Sequence, residues 1–400
     1  LHRDMFLVMQ QHDSVSKPID IISIAEGLQY LSDKDSKNSK DINPAYLVEL
    51  IETSPITENI EFHASLIKKK FFLRKIISTC QETVKRAQTF DEDIRSFLDQ
   101  VETVFLNISK DQEQSKGLSS VKDSLLPTLD ELERRIISDG EVTGVTTGFT
   151  EIDKFTGGWQ KSDLIILAAR PGMGKTALAL NWAMSSVKQD KEQISAIFSL
   201  EMSKQQLIER LLSAEGRLDS SRLRKGDLSD EDQDRLMHAA RQMDELGTRV
   251  IVDETPGLSL MELRSRCRRY QKEHGLGLVI IDYLQLMTGS PEAQKQGRER
   301  EISEISMGLK AMAKELNVPV IALAQLNRSP DARPDKRPKI SDLRESGSME
   351  QDADLITFVY RDEYYNANSE HAGKAEVIIA KNRHGETGSA FLAWLPNYVS

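Results

Sequence analysis

Along the first hundred residues, apolar side chains recur at helical spacing. From Phe62 the stripe runs through Leu66, Leu73, Ile77, Cys80, Val84 and Ala87, and a second follows with Ile94, Phe97, Leu98, Val101, Val104, Phe105 and Ile108. Steps of three, four or seven predict amphipathic helices that bury one face. Asn43-Pro44 and Ser54-Pro55 punctuate them as turns or helix starts. Residues 1–110 therefore read as an all-α bundle, suited to packing or subunit contact and carrying no chemistry. A polar stretch from Asp111 to Gly117 reads as a linker. Val121 to Ile137 forms one amphipathic helix, with Leu125, Leu129, Leu132 and Ile136 on a face, before Gly140, Gly144 and Gly148.

From about Gly144 the texture changes. Short apolar runs at Asp163–Ala169, Ile194–Leu200, Arg249–Val252, Leu278–Ile281, Pro319–Ala324, Leu355–Tyr360 and Glu376–Ala380 alternate, at first, with charged amphipathic segments. One of those segments opens at Ser229 with Asp232 at capping-box spacing. Strand–helix alternation predicts a mainly parallel sheet flanked by helices. The expected organisation is a helical domain over 1–110, a linker with its helix over 111–140, and an α/β domain over 141–400.

Ligands in such folds sit beyond the carboxyl ends of the strands, and polar residues cluster there. After the first run comes Ala169-Arg170-Pro171-Gly172-Met173-Gly174-Lys175-Thr176-Ala177. A glycine turn entering a helix presents backbone N–H groups and the positive end of the helix dipole to phosphate. Lys175 is placed to reach the β and γ phosphates of ATP, and the Thr176 hydroxyl to bind Mg²⁺. Ala169 stands where the P-loop pattern has its first glycine. Asp282 ends the fourth run and suits the Mg²⁺ shell. Glu201 ends the second and could orient an attacking water. Gln325 ends the fifth, where an amide could sense the γ-phosphate or simply satisfy backbone groups. Lys381 and Arg383 end the last run before Gly385; they suit either a γ-phosphate or a solvated hairpin tip. His384 beside them has no ligand-like neighbour in sequence.

Ser341–Glu350, with Arg344, Glu345 and Gly347, follows a basic loop containing Arg333, Lys336 and Arg337. Backbone N–H groups and arginine there suit contacts to a phosphate backbone. The stretch lacks aromatic residues, so base stacking is not expected of it.

Charge and composition narrow this picture only modestly. A net charge of −10 counts against bulk nucleic-acid attraction, but binding depends on local charge. The apolar runs are far too short to span a bilayer. Cys80 and Cys267 stand outside any CxxC or Cys/His cluster, which argues against zinc or a disulfide scaffold. Both fall on apolar helical positions, so burial is the default expectation for each.

The motifs resemble the DnaB family of bacterial replicative DNA helicases. They are ARPGMGKT at Ala169–Thr176, FSLEMS at Phe198–Ser203, VIIDYLQLM at Val279–Met287, LAQLNR at Leu323–Arg328, SDLRESGSMEQDAD at Ser341–Asp354 and AKNRHGETG at Ala380–Gly388. All six occur in family order. The resemblance implies a RecA-like P-loop core in a homo-hexameric ring that encircles single-stranded DNA and moves 5′ to 3′. It implies Glu201 as catalytic base, Gln325 as γ-phosphate sensor, and Arg383 with Lys381 as a finger acting on the adjacent subunit's nucleotide. It assigns Arg344, Glu345 and Gly347 to DNA, and Val121–Ile137 to docking on a neighbour. Primase and a helicase loader are the implied partners, and the bacterial cytoplasm the implied location, with no membrane. The family usually carries more helical sequence than precedes Leu1, so a truncated first helix is expected. Other readings are a RecA-fold recombinase, another DNA-dependent ATPase, or an assembly protein that merely binds nucleotide.

Overall fold

The computed structural model describes residues 2–14, 17–34, 44–52, 60–89, 94, 97, 101, 104–105, 108, 121–137, 142–343, 347–366 and 368–400. The chain forms two compact units, Leu1–Ser119 and Ser120–Ser400.

In the first unit, helices His2–Ser14, Ile21–Lys34 and Pro44–Glu52 enclose a small core of Met5, Val8, Ile24, Leu28 and Leu47. Helix Ile60–Gln88 forms as the periodicity predicts, but its stripe does not lie buried. Phe62, Leu66, Leu73, Ile77 and Val84 are all exposed, and so is Cys80. Helical spacing specifies that a face is apolar, not what covers it. Phe97 and Ile108 of the second stripe are buried, whereas Ile94 is exposed.

The second unit is built on an eight-stranded sheet: β1 Leu164–Ala169, β2 Ser195–Ser199, β3 Val250–Asp253, β4 Leu278–Asp282, β5 Val320–Gln325, β6 Leu355–Tyr360, β7 Lys374–Asn382 and β8 Gly388–Ala393. Its order is β3-β2-β4-β5-β1-β6-β7-β8. The first six pair in parallel, and β7 and β8 add an antiparallel edge. The seven expected runs all form strands, shifted by one or two residues at most of their ends. β8 was not anticipated: Ala390 is its one fully buried residue, so its signal is weak.

Alternation along each central strand places neighbours on opposite faces. Ile166, Phe198, Ile281 and Ala322 join one core with helices Leu260–His274 and Arg298–Leu316. Ile165, Ile197, Ile280 and Ile321 join another with helices Lys175–Gln189 and Lys204–Gly216. Covering both faces is why these strands read as unbroken apolar runs. Cys267 lies in the first core, and burial pushes its thiol up to about 12. Ser229 caps helix Asp230–Leu246 with the expected capping box. Helix Val121–Ile137 also forms as expected, with Leu125, Leu129 and Leu132 exposed. No helix among the described residues is long and apolar enough to cross a membrane.

Candidate nucleotide site

β1 ends at Ala169, where the chain turns sharply into helix Lys175–Gln189. Gly172 and Gly174 hold left-handed backbone, with φ of 80° and 99°, which a side chain would strain. A Cβ on Gly174 would also stand 2.6 Å from the Trp394 ring. Ala169 is different: it pairs with Gln325 and Val359 as the last residue of β1. The first motif position is thus strand rather than turn in this chain, and a methyl group fits it.

The turn opens onto a cavity of about 600 Å³ lined by Arg170, Pro171, Gly172, Gly174, Lys175, Thr176 and Ala177. Glu201, Gln325, Arg210, Tyr283 and Trp394 face the same space. Met173 does not; its side chain is buried in the core under the turn. Arg170 serves the rim of the site, donating to the Leu326 carbonyl at 3.1 Å and pairing with Asp331 at 2.5 Å.

The helix start and the end of β4 meet at Thr176 and Asp282. Thr176 Oγ1 donates to Asp282 Oδ2 at 2.7 Å. The other carboxylate oxygen is buried without a hydrogen-bond donor, 3.6 Å from Lys175 Nζ. A hydroxyl beside a buried carboxylate with a spare oxygen fits Mg²⁺, which takes one or two protein oxygens and fills its shell with phosphate and water. Lys175 lies over the Tyr283 ring, 4.7 Å from its centre. Burial holds its pKa below the ordinary lysine value, against the pull of Asp282 and Glu201. A bound polyphosphate would favour the charged form further.

Arg210 escaped the sequence reading. It projects from helix Lys204–Gly216 into the cavity and has no hydrogen-bond or ion-pair partner among the described residues. Burial lowers its pKa, partly offset by Asp282 and Glu201. A partly desolvated cation gains from a matching anion, and an anionic ligand in the cavity would supply one. No local motif marks it; the signal is spatial, from its helix packing beside β2.

Lys381 and Arg383 lie elsewhere. β7 runs antiparallel to β6 and brings Asn382 opposite Leu355, at the amino end of the parallel strands. Arg383 pairs there with Asp354 at 2.9 Å. The six residues of β1 separate them from the P-loop by roughly 17 Å at the usual rise per residue. They do not reach the cavity of their own chain. His384, expected to lack a partner, instead places Nε2 3.1 Å from Asp163 Oδ2, a neighbour 221 positions away that spacing could not reveal.

Of the expected DNA-contact residues, Gly347 is exposed at the start of helix Gly347–Asp352; Arg344 and Glu345 lie outside the described residues. Two of the three named cations of the basic loop before them pair with carboxylates, and Lys336 donates to the Asp331 carbonyl. Arg333 grips Asp342 with both terminal nitrogens, at 2.7 and 2.6 Å, and Arg337 pairs with Glu376.

The family model for the C-terminal domain of DnaB-like helicases matches residues 144–400, and that for the N-terminal domain matches residues 1–69. The replicative DNA helicase DnaB of Geobacillus stearothermophilus is 42% identical over 99% of this chain and 86% of its own length. The replicative DNA helicase DnaC of Bacillus subtilis is 39% identical over the same shares. A solved DnaB-like replicative helicase, described with its interactions with primase, aligns with a TM-score of 0.76 and 33% identity. That alignment covers 98% of this chain and 90% of that one. A solved ATPase domain aligns with a TM-score of 0.66 and 39% identity, over 71% of this chain and 98% of its own.

Proposed function

The chain belongs to the DnaB-like helicases, with the ATP-dependent replicative helicase function of that family, and on that premise we propose how its residues perform the work. ATP with Mg²⁺ occupies the P-loop cavity. The turn from Arg170 to Ala177 wraps the phosphates, Lys175 contacts the β and γ groups, and Thr176 with Asp282 holds the metal. Glu201 orients and deprotonates the attacking water, and Gln325 senses the γ-phosphate. Arg210 joins this set as a cation acting within the same chain. The observation that carries the reading is the meeting of Lys175, Thr176, Glu201 and Arg210 around one cavity, with Asp282 bonded to Thr176 and beside Lys175. Mere nucleotide storage does not require that set.

Arg383 and Lys381 act in trans, on the nucleotide of the next subunit. Their place at the far end of the strands supports this, because they cannot serve their own cavity. A finger in trans requires an assembly, and a homo-hexamer around single-stranded DNA satisfies it. Arg344, Glu345 and Gly347 contact the DNA backbone as the ring moves 5′ to 3′ and opens the duplex at a fork. We assign residues 1–110 to the collar, 111–140 to the linker whose exposed leucines dock on a neighbour, and 141–400 to the motor. Primase and a helicase loader are the proposed partners, in the bacterial cytoplasm.

The test is unwinding of a forked duplex with a free 5′ tail, in Mg²⁺-ATP, by the native chain and by Lys175→Ala. The native chain separates the strands, the variant does not, and a substrate with only a 3′ tail stays intact. Equal activity of the variant would remove the site assignment; unwinding from the 3′ tail would reverse the polarity.

A further inference from the structure

At the amino end of β1 the polar groups form a closed knot. Asp354 is buried; its Oδ2 accepts the Leu164 amide at 2.9 Å and also takes Lys310, while Oδ1 accepts Arg383 at 2.9 Å. Lys310 donates as well to the Ser162 carbonyl at 2.8 Å and stands 3.8 Å from Asp163. Asp163, Asp354 and His384 have oxygen and nitrogen atoms close enough for a shared metal, but the Lys310 ammonium already bridges the two carboxylates. Lys381 donates to the carbonyls of Glu350 at 2.6 Å and Ala353 at 2.7 Å, and Arg383 to that of Gln351 at 3.4 Å. These carbonyls lie in and just after the last turn of helix Gly347–Asp352. The last carbonyls of a helix have no partner within it and favour cations.

We propose that Asp354 is a positioning residue for the trans-acting cations: it holds Arg383 on the end of helix Gly347–Asp352, beside Lys381, so that the helix that begins at the DNA-contact residue Gly347 and the cations offered to the next subunit move together. This rests on the reading of Arg383 as a finger. The two cations on Asp354 differ in access. The Lys310 side chain is 15% exposed and Arg383 52%. Arg383 is therefore the partner that can leave. When it does, Oδ1 loses its donor, but Lys310 and the Leu164 amide still hold Oδ2, so the buried charge keeps a cation beside it. Because Asp354 also bonds the first residue of β1, the same knot reaches the strand that ends at the P-loop.

The experiment is a double-mutant cycle on the full chain, reading ATPase kcat and KM with and without single-stranded DNA. Asp354→Asn keeps an acceptor for the Leu164 amide but loses the charge that holds Arg383. It lowers DNA-stimulated kcat about tenfold, within the range for directly coupled residues, and leaves KM for ATP within about twofold. In the Arg383→Ala background the same change adds nothing. Asp354→Glu, which keeps the charge but displaces it, carries the same cycle if Asp354→Asn yields no folded chain. Additive losses, or full DNA stimulation in the Asp354 variants, overturn the proposal while leaving the finger intact. An Arg383→Ala chain with native kcat overturns the finger reading and this one with it.

Discussion

The two ends of β1 are polar in opposite ways. At the carboxyl end, among the described residues, Arg210 has no hydrogen-bond or ion-pair partner and one oxygen of Asp282 has no donor, and burial lowers the pKa of Lys175. At the amino end, Asp354, Lys310, Arg383, Asp163 and His384 satisfy one another. Both ends are rich in charge, so charge alone does not locate a binding site. What distinguishes them is whether the charges are matched: an unmatched set is waiting for a ligand, and a matched set holds a shape until something stronger competes for one member.

Four measurements probe that contrast. The largest effect is expected from Arg383→Ala, which should lower kcat about 10³-fold or more, as fingers do. Mixing it with Glu201→Gln subunits should restore activity, because some interfaces then hold an intact cavity facing an intact finger. No recovery would place both residues in one site and erase the division between the ends. Next, Arg210→Gln should reduce kcat/KM for ATP about 10- to 100-fold, the range for a lost charged hydrogen bond; an unchanged value would mean that the free arginine serves some other ligand.

Acid unfolding probes the amino end more gently. Burial pushes Asp354 up, but Lys310, the Leu164 amide and Arg383 outweigh it, so its folded value lies below the ordinary 3.8. Its contribution is present above 3.8 and lost as pH falls through the lower folded value. Asp163 moves the other way, raised by burial and by Asp354 despite His384, so it costs stability as pH climbs through 3.8 to its raised value. Asp354→Asn should therefore flatten the acid limb of a stability–pH curve measured by urea melts; an unchanged limb would show that its partners do not hold this carboxylate charged. The smallest effect is expected at neither end: Ser229→Ala should cost about 1 kcal/mol of stability through the lost cap, with kcat unaltered. A change in kcat there would show that the measured losses follow general destabilisation.

The cavity was legible to the extent that its parts are local. The glycine turn with Lys175 and Thr176 is contiguous, and Glu201, Asp282 and Gln325 each follow an apolar run that announces its strand. Arg210 and Trp394 were not legible, because an unremarkable helix and a weak edge strand carry them in from a distance. The pairing of His384 with Asp163 was hidden for the same reason. Periodicity found helix Ile60–Gln88 but not the exposure of its apolar side, since a stripe cannot say whether its cover belongs to the same chain. The resemblance, in turn, assigned Arg383 to a neighbour's nucleotide, which its residues alone left open.

The three tryptophans of the chain are unequally placed. Trp159 and Trp182 are sealed in the core, ring centres 4.7 Å apart, while Trp394 borders the cavity with Arg361 stacked 4.4 Å over its ring. Ultraviolet emission from this protein thus has a constant background and a single indole whose surroundings change when nucleotide arrives. Binding can be followed optically without a label, and Trp394→Phe supplies the blank.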